Sequence, residues 1–492
     1  MLIKAHNIQH KQYFFKCFTV DFFFGRWYIK KRFICNQEYI DPMKKIILFF
    51  AITLFCAGCV SRVDQLRLRV AITGDAQAVD SVDHWGIVNT AKAFSFLAPF
   101  EPDVLVMSGD LADRGDPAVF DRYMELYVRY FKNKLPVQAA CAGNHDFAHP
   151  EERDRNKLWQ NFADGLMISR DKPGHQVIGG YDFITVSEGL RDDKIGDYTP
   201  EMIAKLKEKL DKAVARDNKK PIFVITHYPP TFTMIGSECG NGKEALRKLL
   251  NNYPQVISIS GHSHRPLQWD KSFWQGEFTA FTTSTLSYGC IGGGYFVNVA
   301  GGSILPFARE VQEALLMDIY DNRVVIRRFN VHDRREIDPA DPWMVDVPYN
   351  RNKAEKALQN KIATEKAPEF PEKARLLIRH DFGFAYLLFV PAYHDDMVLS
   401  YFMRASVKKS DGSWEVVKEA DYVSDFYRYE KHRTSEVAIK IPENTMCPRQ
   451  LMRFEVFPVS GYGKRGKPLT LEMTIPPTWK LKKSTKPIYP VE

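Results

Sequence analysis

Cysteine is scarce in this sequence, eight among 492 residues. Four of the eight (Cys17, Cys35, Cys56 and Cys59) fall near the start. The others, Cys141, Cys239, Cys290 and Cys447, are too few and too scattered for a disulfide scaffold. One bridge is open to them in an oxidising compartment, and the spacing does not identify it. A strong charge bias is missing too. The formal charge is +8, but residues 1–58 hold nine Lys/Arg and only three acids, so the rest carries +2. No nucleic-acid partner is inferred from charge. No internal repeat or low-complexity tract stands out. What remains is ordinary globular composition, 45% hydrophobic and 26% charged, with length for two or three domains and a sizeable core.

The segment "MKKIILFFAITLFCAGC", residues 43–59, has two lysines after Met43, a ten-residue apolar run and small residues. That is the layout of a secretory signal. The run falls short of the roughly 20 residues that span a bilayer. Ala57-Gly58-Cys59 resembles a bacterial lipoprotein signal, whose cysteine is acylated and becomes the mature N-terminus; Cys56 stands where that signal usually has leucine. The expectation is an exported protein anchored to a membrane of the bacterial cell envelope by lipid on Cys59, facing the periplasm or the cell surface. An ordinary cleaved signal or a short hydrophobic anchor would export the chain equally. Residues 1–42, aromatic-rich and basic, read as a non-native extension upstream of Met43 and receive no fold.

From residue 68 the chain alternates. Apolar runs "RVAIT", "DVLVMS", "VQAACA", "FVITH" and "VISIS" have the length of buried strands. Between several of them, 84–98, 117–131 and 199–217 read as helices, the last with Thr199 as N-cap and Pro200 at its first position. Such alternation predicts an α/β domain with a mixed or parallel sheet covered by helices. Residues 276–284, 292–299, 312–320 and 322–329 then read as strands, closing the domain near 335. Residues 336–372, with a helical patch at 353–364, read as linker. From 373 to 480 seven short strands, "RLLIR", "YLLFVPA", "LSYFMRASV", "WEVVKE", "VAIKIP", "MRFEVFPVSG" and "LTLEMTI", predict an all-β sandwich of immunoglobulin or fibronectin type.

The five apolar runs of the first domain end in polar clusters: "GDAQ" (74–77), "GDLADRGD" (109–116), "GNHD" (143–146), "HYPP" (227–230) and "GHSH" (261–264). Any one of these is an unremarkable turn, helix cap or loop. Five in order, each at a strand end, are not, because ligands of open α/β sheets lie beyond the carboxyl ends of the strands. Carboxylate, amide and imidazole groups gathered there suit Mn, Fe, Zn or Mg rather than soft metals.

This ordered set, over roughly residues 68–335, resembles the calcineurin-like metallophosphoesterase family, whose pattern is D-x-H, G-D-x-x-D, G-N-H-D/E, a lone His and G-H-x-H. The resemblance implies a four-layer core, two β-sheets flanked by helices, with two divalent metal ions at the sheet edges. Asp110 would bridge both ions, Asp75 and His264 would hold the first, and Asn144, His227 and His262 the second. His145 matches the catalytic histidine, which contacts the phosphoryl oxygen, and Asp146 would hold its imidazole in one orientation. Arg114 matches a phosphate-gripping arginine of the phosphoprotein-phosphatase branch, or is a surface arginine paired with Asp113 or Asp116. Gln77 departs from the pattern, which has histidine there; it would ligate directly or through water. Asp113 stands where the purple acid phosphatases need a tyrosine ligand, which argues against that type.

Outside the motifs, Tyr228, Trp269 and "SYGCIGGGYF" (287–296) would shape a substrate cleft or form a plain hairpin connection. His84, His149 and His175 read as surface residues. The resemblance implies a hydrolase that cleaves a phosphodiester or phosphoester with metal-activated water outside the cytoplasm. The alternatives are an acid-phosphatase-like phosphomonoesterase and a non-catalytic surface interaction protein that retains the fold.

Overall fold

A computed structural model of the chain describes the backbone of residues 2–10, 13–24 and 27–36, and residues 65–477 except 153, 188–197, 239–242, 292–295, 300–303, 382 and 443. The chain divides between Gln65 and Leu66 into two units. In the first, β1 (Leu2–His10), β2 (Tyr13–Phe24) and β3 (Trp27–Asn36) pair antiparallel in that order. Its wealth of aromatic and β-branched residues suits strands, although the sequence reading gave this stretch no fold. The signal-like segment 43–59, with Cys59, lies outside the described residues.

The second unit begins with the catalytic-domain candidate. Its elements are β4 (Leu66–Thr73), α1 (Trp85–Leu97), β5 (Val104–Met107), α2 (Pro117–Phe131), β6 (Val137–Ala140), α3 (Arg155–Gly165), β7 (Gly174–Ile178), β8 (Tyr181–Val186), α4 (Pro200–Arg216), β9 (Ile222–Thr226), α5 (Lys243–Leu250), β10 (Val256–Ser260), β11 (Phe273–Gln275), β12 (Thr279–Thr282), β13 (Glu313–Tyr320), β14 (Arg323–Asn330), β15 (Arg335–Ile337) and β16 (Trp343–Asp346). They build two mixed sheets. The first runs β15-β14-β13-β4-β5-β6, with β16 also on β14; the second runs β11-β12-β10-β9-β8-β7.

The strands read as near-continuous apolar runs because both of their faces are covered. Val70 and Ile72 of β4, Val104 and Val106 of β5, Phe223 and Ile225 of β9 and Ile257 and Ile259 of β10 fill the space between the sheets. The opposite face of the first sheet packs Leu105 and Met107 under Phe94 of α1, Phe120 of α2 and Phe162 of α3. The outer face of the second packs Ile222 and Val224 under Leu206 and Leu210 of α4 and Leu246 of α5. This makes four layers, helix–sheet–sheet–helix. Helix α2 starts where its signals say, with the Asp116 side chain accepting from Ala118 N and Pro117 in the first turn.

Two boundaries differ from the sequence reading. Residues 335–337 and 343–346, assigned at and after the domain's end, are strands on the first sheet, and Trp343 stacks on Phe273 at 5.1 Å. Their Pro- and Asp-rich surroundings hide two short edge strands. The linker helix α6 (Arg351–Thr364) follows. Of the expected strand 292–299, the first half lies outside the described residues and 296–299 is not a strand. There Val297 N donates to Asp421 O at 2.9 Å, and the Asn298 amide brackets Val423 at 2.9 and 3.0 Å. The segment is bound to the C-terminal domain instead.

That domain holds β17 (Leu377–Asp381), β18 (Phe384–Phe389), β19 (Val398–Lys408), β20 (Trp414–Val423), β21 (Val437–Lys440), β22 (Leu451–Ser460) and β23 (Leu469–Thr474). The antiparallel sheets β17-β18-β21 and β20-β19-β22-β23 share a core of alternate residues, among them Leu387, Phe389, Tyr401, Met403, Phe454 and Val456. It is docked, not tethered. Trp269 Nε1 donates to Gly461 O at 3.0 Å, Tyr427 Oη to Pro306 O at 2.6 Å, and Arg428 forks onto Glu310 at 2.9 and 3.2 Å.

Candidate metal centre

All five polar clusters leave the carboxyl ends of strands: Asp75 after β4, Asp110 after β5, Asn144 after β6, His227 after β9 and His262 and His264 after β10. Three come from one sheet and two from the other, so the clusters meet where the two sheet edges adjoin. Side-chain atoms of Asp110, His227 and His262 lie within 4.8 Å of one another, as do those of Asp75, Asp110 and His264. The two groups share Asp110. Bringing carboxylates this close to backbone requires glycine: a Cβ on Gly143 would sit 2.3 Å from Asp110 Oδ1, and one on Gly261 would sit 2.4 Å from Asp75 Oδ2.

The local backbone is held in a costly conformation. Asp75, Gln77, Asp110, His262 and His264 have φ of 52°, 45°, 52°, 65° and 49°. Each L-residue in the left-handed region costs on the order of 1–2 kcal/mol, and such strain gathers at functional sites where the surrounding fold over-determines it. Here the sheet edges do so: Asp75 N donates to Gly109 O at 3.0 Å and Gln77 N to Asp110 O at 2.8 Å.

Each histidine is oriented by a carbonyl. His227 Nδ1 donates to Ser108 O at 2.9 Å and His264 Nδ1 to Tyr288 O at 2.8 Å. His227 Nε2 lies 3.1 Å from both Asp110 Oδ2 and Asn144 Oδ1. His264 Nε2 likewise faces Asp75 Oδ1 at 3.1 Å. Each of these ring nitrogens thus faces oxygen acceptors, a contact that a proton or a metal ion can bridge. The buried Asp75 Oδ2 has no hydrogen-bond partner, an expensive state for a carboxylate oxygen unless an ion compensates it. Burial holds the His262 imidazole well below its ordinary pKa, hence neutral and able to ligate. Burial also works against the Asp110 carboxylate, but His227 and His145 more than offset it and keep the group below the usual carboxylate range. The donor set fits divalent ions.

His145 sits in a 3-10 turn, His145–Phe147, and its backbone N donates to Asp110 Oδ1 at 2.8 Å. Its imidazole is not held by Asp146, as the sequence reading had it. Nδ1 lies 2.9 Å from Asp113 Oδ1 and 3.1 Å from Asp113 O. Burial opposes the imidazolium, but Asp110 and Asp113 outweigh it and raise the pKa. Asp146 points elsewhere, accepting from Ala112 N at 2.8 Å and Gly143 N at 2.9 Å. It staples the second and third clusters together, and burial beside Asp110 raises its pKa. Asp113 is the residue the sequence reading missed as a partner for His145. The signal was present, a second carboxylate three positions after Asp110.

Arg114 lies on the rim, its side chain 67% exposed and its Nε 3.6 Å from Asp113 Oδ2. Gln77 is buried, with Oε1 accepting from Ser287 Oγ at 3.2 Å. Tyr228 lies against His262 with ring centroids 4.0 Å apart, and Tyr288 against His264 at 4.5 Å. Trp269 belongs to the domain interface. His84 caps α1, His149 accepts from the backbone of Glu151 and Glu152, and His175 bonds Asp182.

A shared carboxylate between two ligand groups, at the carboxyl edges of two stacked sheets, makes a candidate two-metal hydrolytic centre. Comparison with known proteins agrees: residues 68–266 match the model of the calcineurin-like phosphoesterase family. Residues 68–266 are thus similar to the domain of that family, and the chain is a hydrolase of the phosphoesterase kind. A 3',5'-cyclic-nucleotide phosphodiesterase of Nostoc sp. is 26% identical over 42% of this chain and 71% of its own. A probable cyclic nucleotide phosphodiesterase of Synechococcus sp. is 26% identical over 37% of this chain and 66% of its own. Among solved structures, a dimetal phosphatase from Danio rerio aligns with 58% of this chain and 100% of its own, at 11% identity and a TM-score of 0.42.

Proposed function

We propose that the chain hydrolyses a phosphodiester, with a cyclic nucleotide as the first substrate class to examine and water as the nucleophile. The observation that carries this is the pair of ligand groups joined by Asp110, with His145 hydrogen-bonded to that same carboxylate. Asp75, Asp110, His264 and Gln77 would hold one ion, and Asp110, Asn144, His227 and His262 the other. Bound ions supply positive charge to phosphoryl oxygens and lower the pKa of water. The protein's own part is orientation and proton transfer. With Nδ1 engaged by Asp113, His145 keeps Nε2 for the substrate. As water's oxygen bonds to phosphorus and releases a proton to solvent, the ester P–O bond breaks and the proton on Nε2 passes to the departing oxygen. Phosphodiesterase action by the Nostoc and Synechococcus relatives, as their names give it, supports the diester reading.

The test is to load the purified chain with manganese and compare initial rates on a chromogenic phosphodiester and its matching monoester. Faster diester cleavage is expected. A monoester preference would hand the site to the phosphomonoesterase alternative, and no turnover with ions bound would leave a surface interaction role.

Export and lipid attachment at Cys59 belong to the same proposal, on the strength of residues 43–59 alone. Cys59→Ser should shift the protein from the membrane pellet to the soluble fraction; unchanged sedimentation would remove the lipid. For the C-terminal sandwich we favour the fibronectin type. Its fourth strand, β20, pairs with β19, whereas an immunoglobulin constant-type domain has its fourth strand on the other sheet. Backbone contacts between β20 and β21 in a nuclear Overhauser spectrum of this domain would reverse that choice.

A further inference from the structure

The two ligand groups are chemically unequal. The one at His227 and His262 offers two imidazoles, the Asn144 amide and the Asp110 carboxylate. The one at His264 offers a single imidazole, the carboxylates of Asp75 and Asp110, and Gln77.

A short segment touches the second of these groups at three points. Thr285 Oγ1 donates to Asp75 O at 2.9 Å, Ser287 Oγ to Gln77 Oε1 at 3.2 Å, and Tyr288 O accepts from His264 Nδ1 at 2.8 Å. The segment is anchored from below by the buried Glu313 of β13, whose Oε2 accepts from Ser284 Oγ at 2.7 Å and from Leu267 N at 2.8 Å. Glu313 therefore ties the strip 284–288 to the loop that follows His264. Thr285, Ser287 and Gln77 are all buried, so these contacts form away from competing water.

We propose that the position formed by Asp75, Gln77, His264 and the shared Asp110 is the weaker, exchangeable metal position. Ser287 is the positioning residue that sets its affinity through Gln77. This rests on the two-metal reading above. A neutral amide oxygen is a poorer donor than the imidazole usual in the family pattern. An amide also has two dissimilar ends, and only its oxygen can ligate. A hydroxyl donating to Oε1 fixes the direction of that oxygen, and its other lone pair stays available to an ion. Outer partners of this kind govern ligand orientation and metal affinity.

The experiment is a manganese titration of the chelator-stripped protein, followed by calorimetry and by the electron paramagnetic resonance of free manganese, with no substrate present. Two ions per chain should bind in two steps at least about tenfold apart. Ser287→Ala should weaken the later step by about 10–100-fold and leave the earlier one in place. Gln77→His should tighten the later step and narrow the gap; histidine tolerates the positive φ at this position comparatively well. Two equal steps in the wild type, or a Ser287→Ala effect on the tighter step, would overturn the inequality. Binding of no ion at all would instead overturn the metal reading beneath it.

Discussion

Asp110→Asn should reduce turnover to background while the protein keeps its fold. Asparagine tolerates the left-handed backbone that position 110 adopts, at φ of 52°, so the exchange adds little strain there. Its amide oxygen can still accept the His145 N–H that Asp110 Oδ1 accepts at 2.8 Å. What disappears is the negative charge common to both ligand groups. Ions in a two-metal site supply several kcal/mol of transition-state stabilisation, so the rate should fall on the order of 10³-fold or more. Manganese binding should drop in parallel, because Asp110 belongs to both groups. The checks are steady-state rates, a metal titration and a circular dichroism melt on the same preparation. Rates close to wild type would remove the shared-carboxylate assignment.

Much of this centre was legible before the structure, for a physical reason. Ligand candidates at strand ends follow apolar runs that both-face burial makes conspicuous, and each candidate is a carboxylate, amide or imidazole. Asp75, Asp110, Asn144, His227, His262 and His264 all carry that double signature. The strip Thr285–Tyr288 carries neither. It acts through a backbone carbonyl and small hydroxyls, which in sequence are indistinguishable from an ordinary polar loop. The exchange of Asp113 for Asp146 has a different origin. Chain neighbours look like natural partners, yet successive side chains in a 3-10 turn of three residues project about 120° apart. Asp146 accordingly turns inward to two backbone N–H groups, while Asp113, 32 positions away, reaches the imidazole. The docked C-terminal domain was hidden similarly: Trp269, Glu310 and Tyr427 show their pairing only once both domains are folded.

His145→Ala should separate proton transfer from metal binding. The contact between residue 145 and Asp110 is made by backbone N–H, so alanine preserves it and both ions should still bind. What is lost is the imidazole that Asp113 orients from Nδ1 and that Asp110 and Asp113 bias toward its protonated form. A positioned general acid contributes about 10²–10⁴-fold, and that is the loss in kcat expected for an ester with a poor, alkoxide leaving group. A nitrophenyl ester, whose leaving group departs without a proton, should lose far less. Asp113→Asn should fall between wild type and His145→Ala on the alkyl ester, since the amide oxygen can still accept from Nδ1 but no longer favours the imidazolium. The measurement is kcat for both esters with each variant, at saturating manganese. Equal losses on the two leaving groups would mean that His145 holds the phosphoryl group without delivering a proton. Its position beside the shared carboxylate would then account for the whole of its effect.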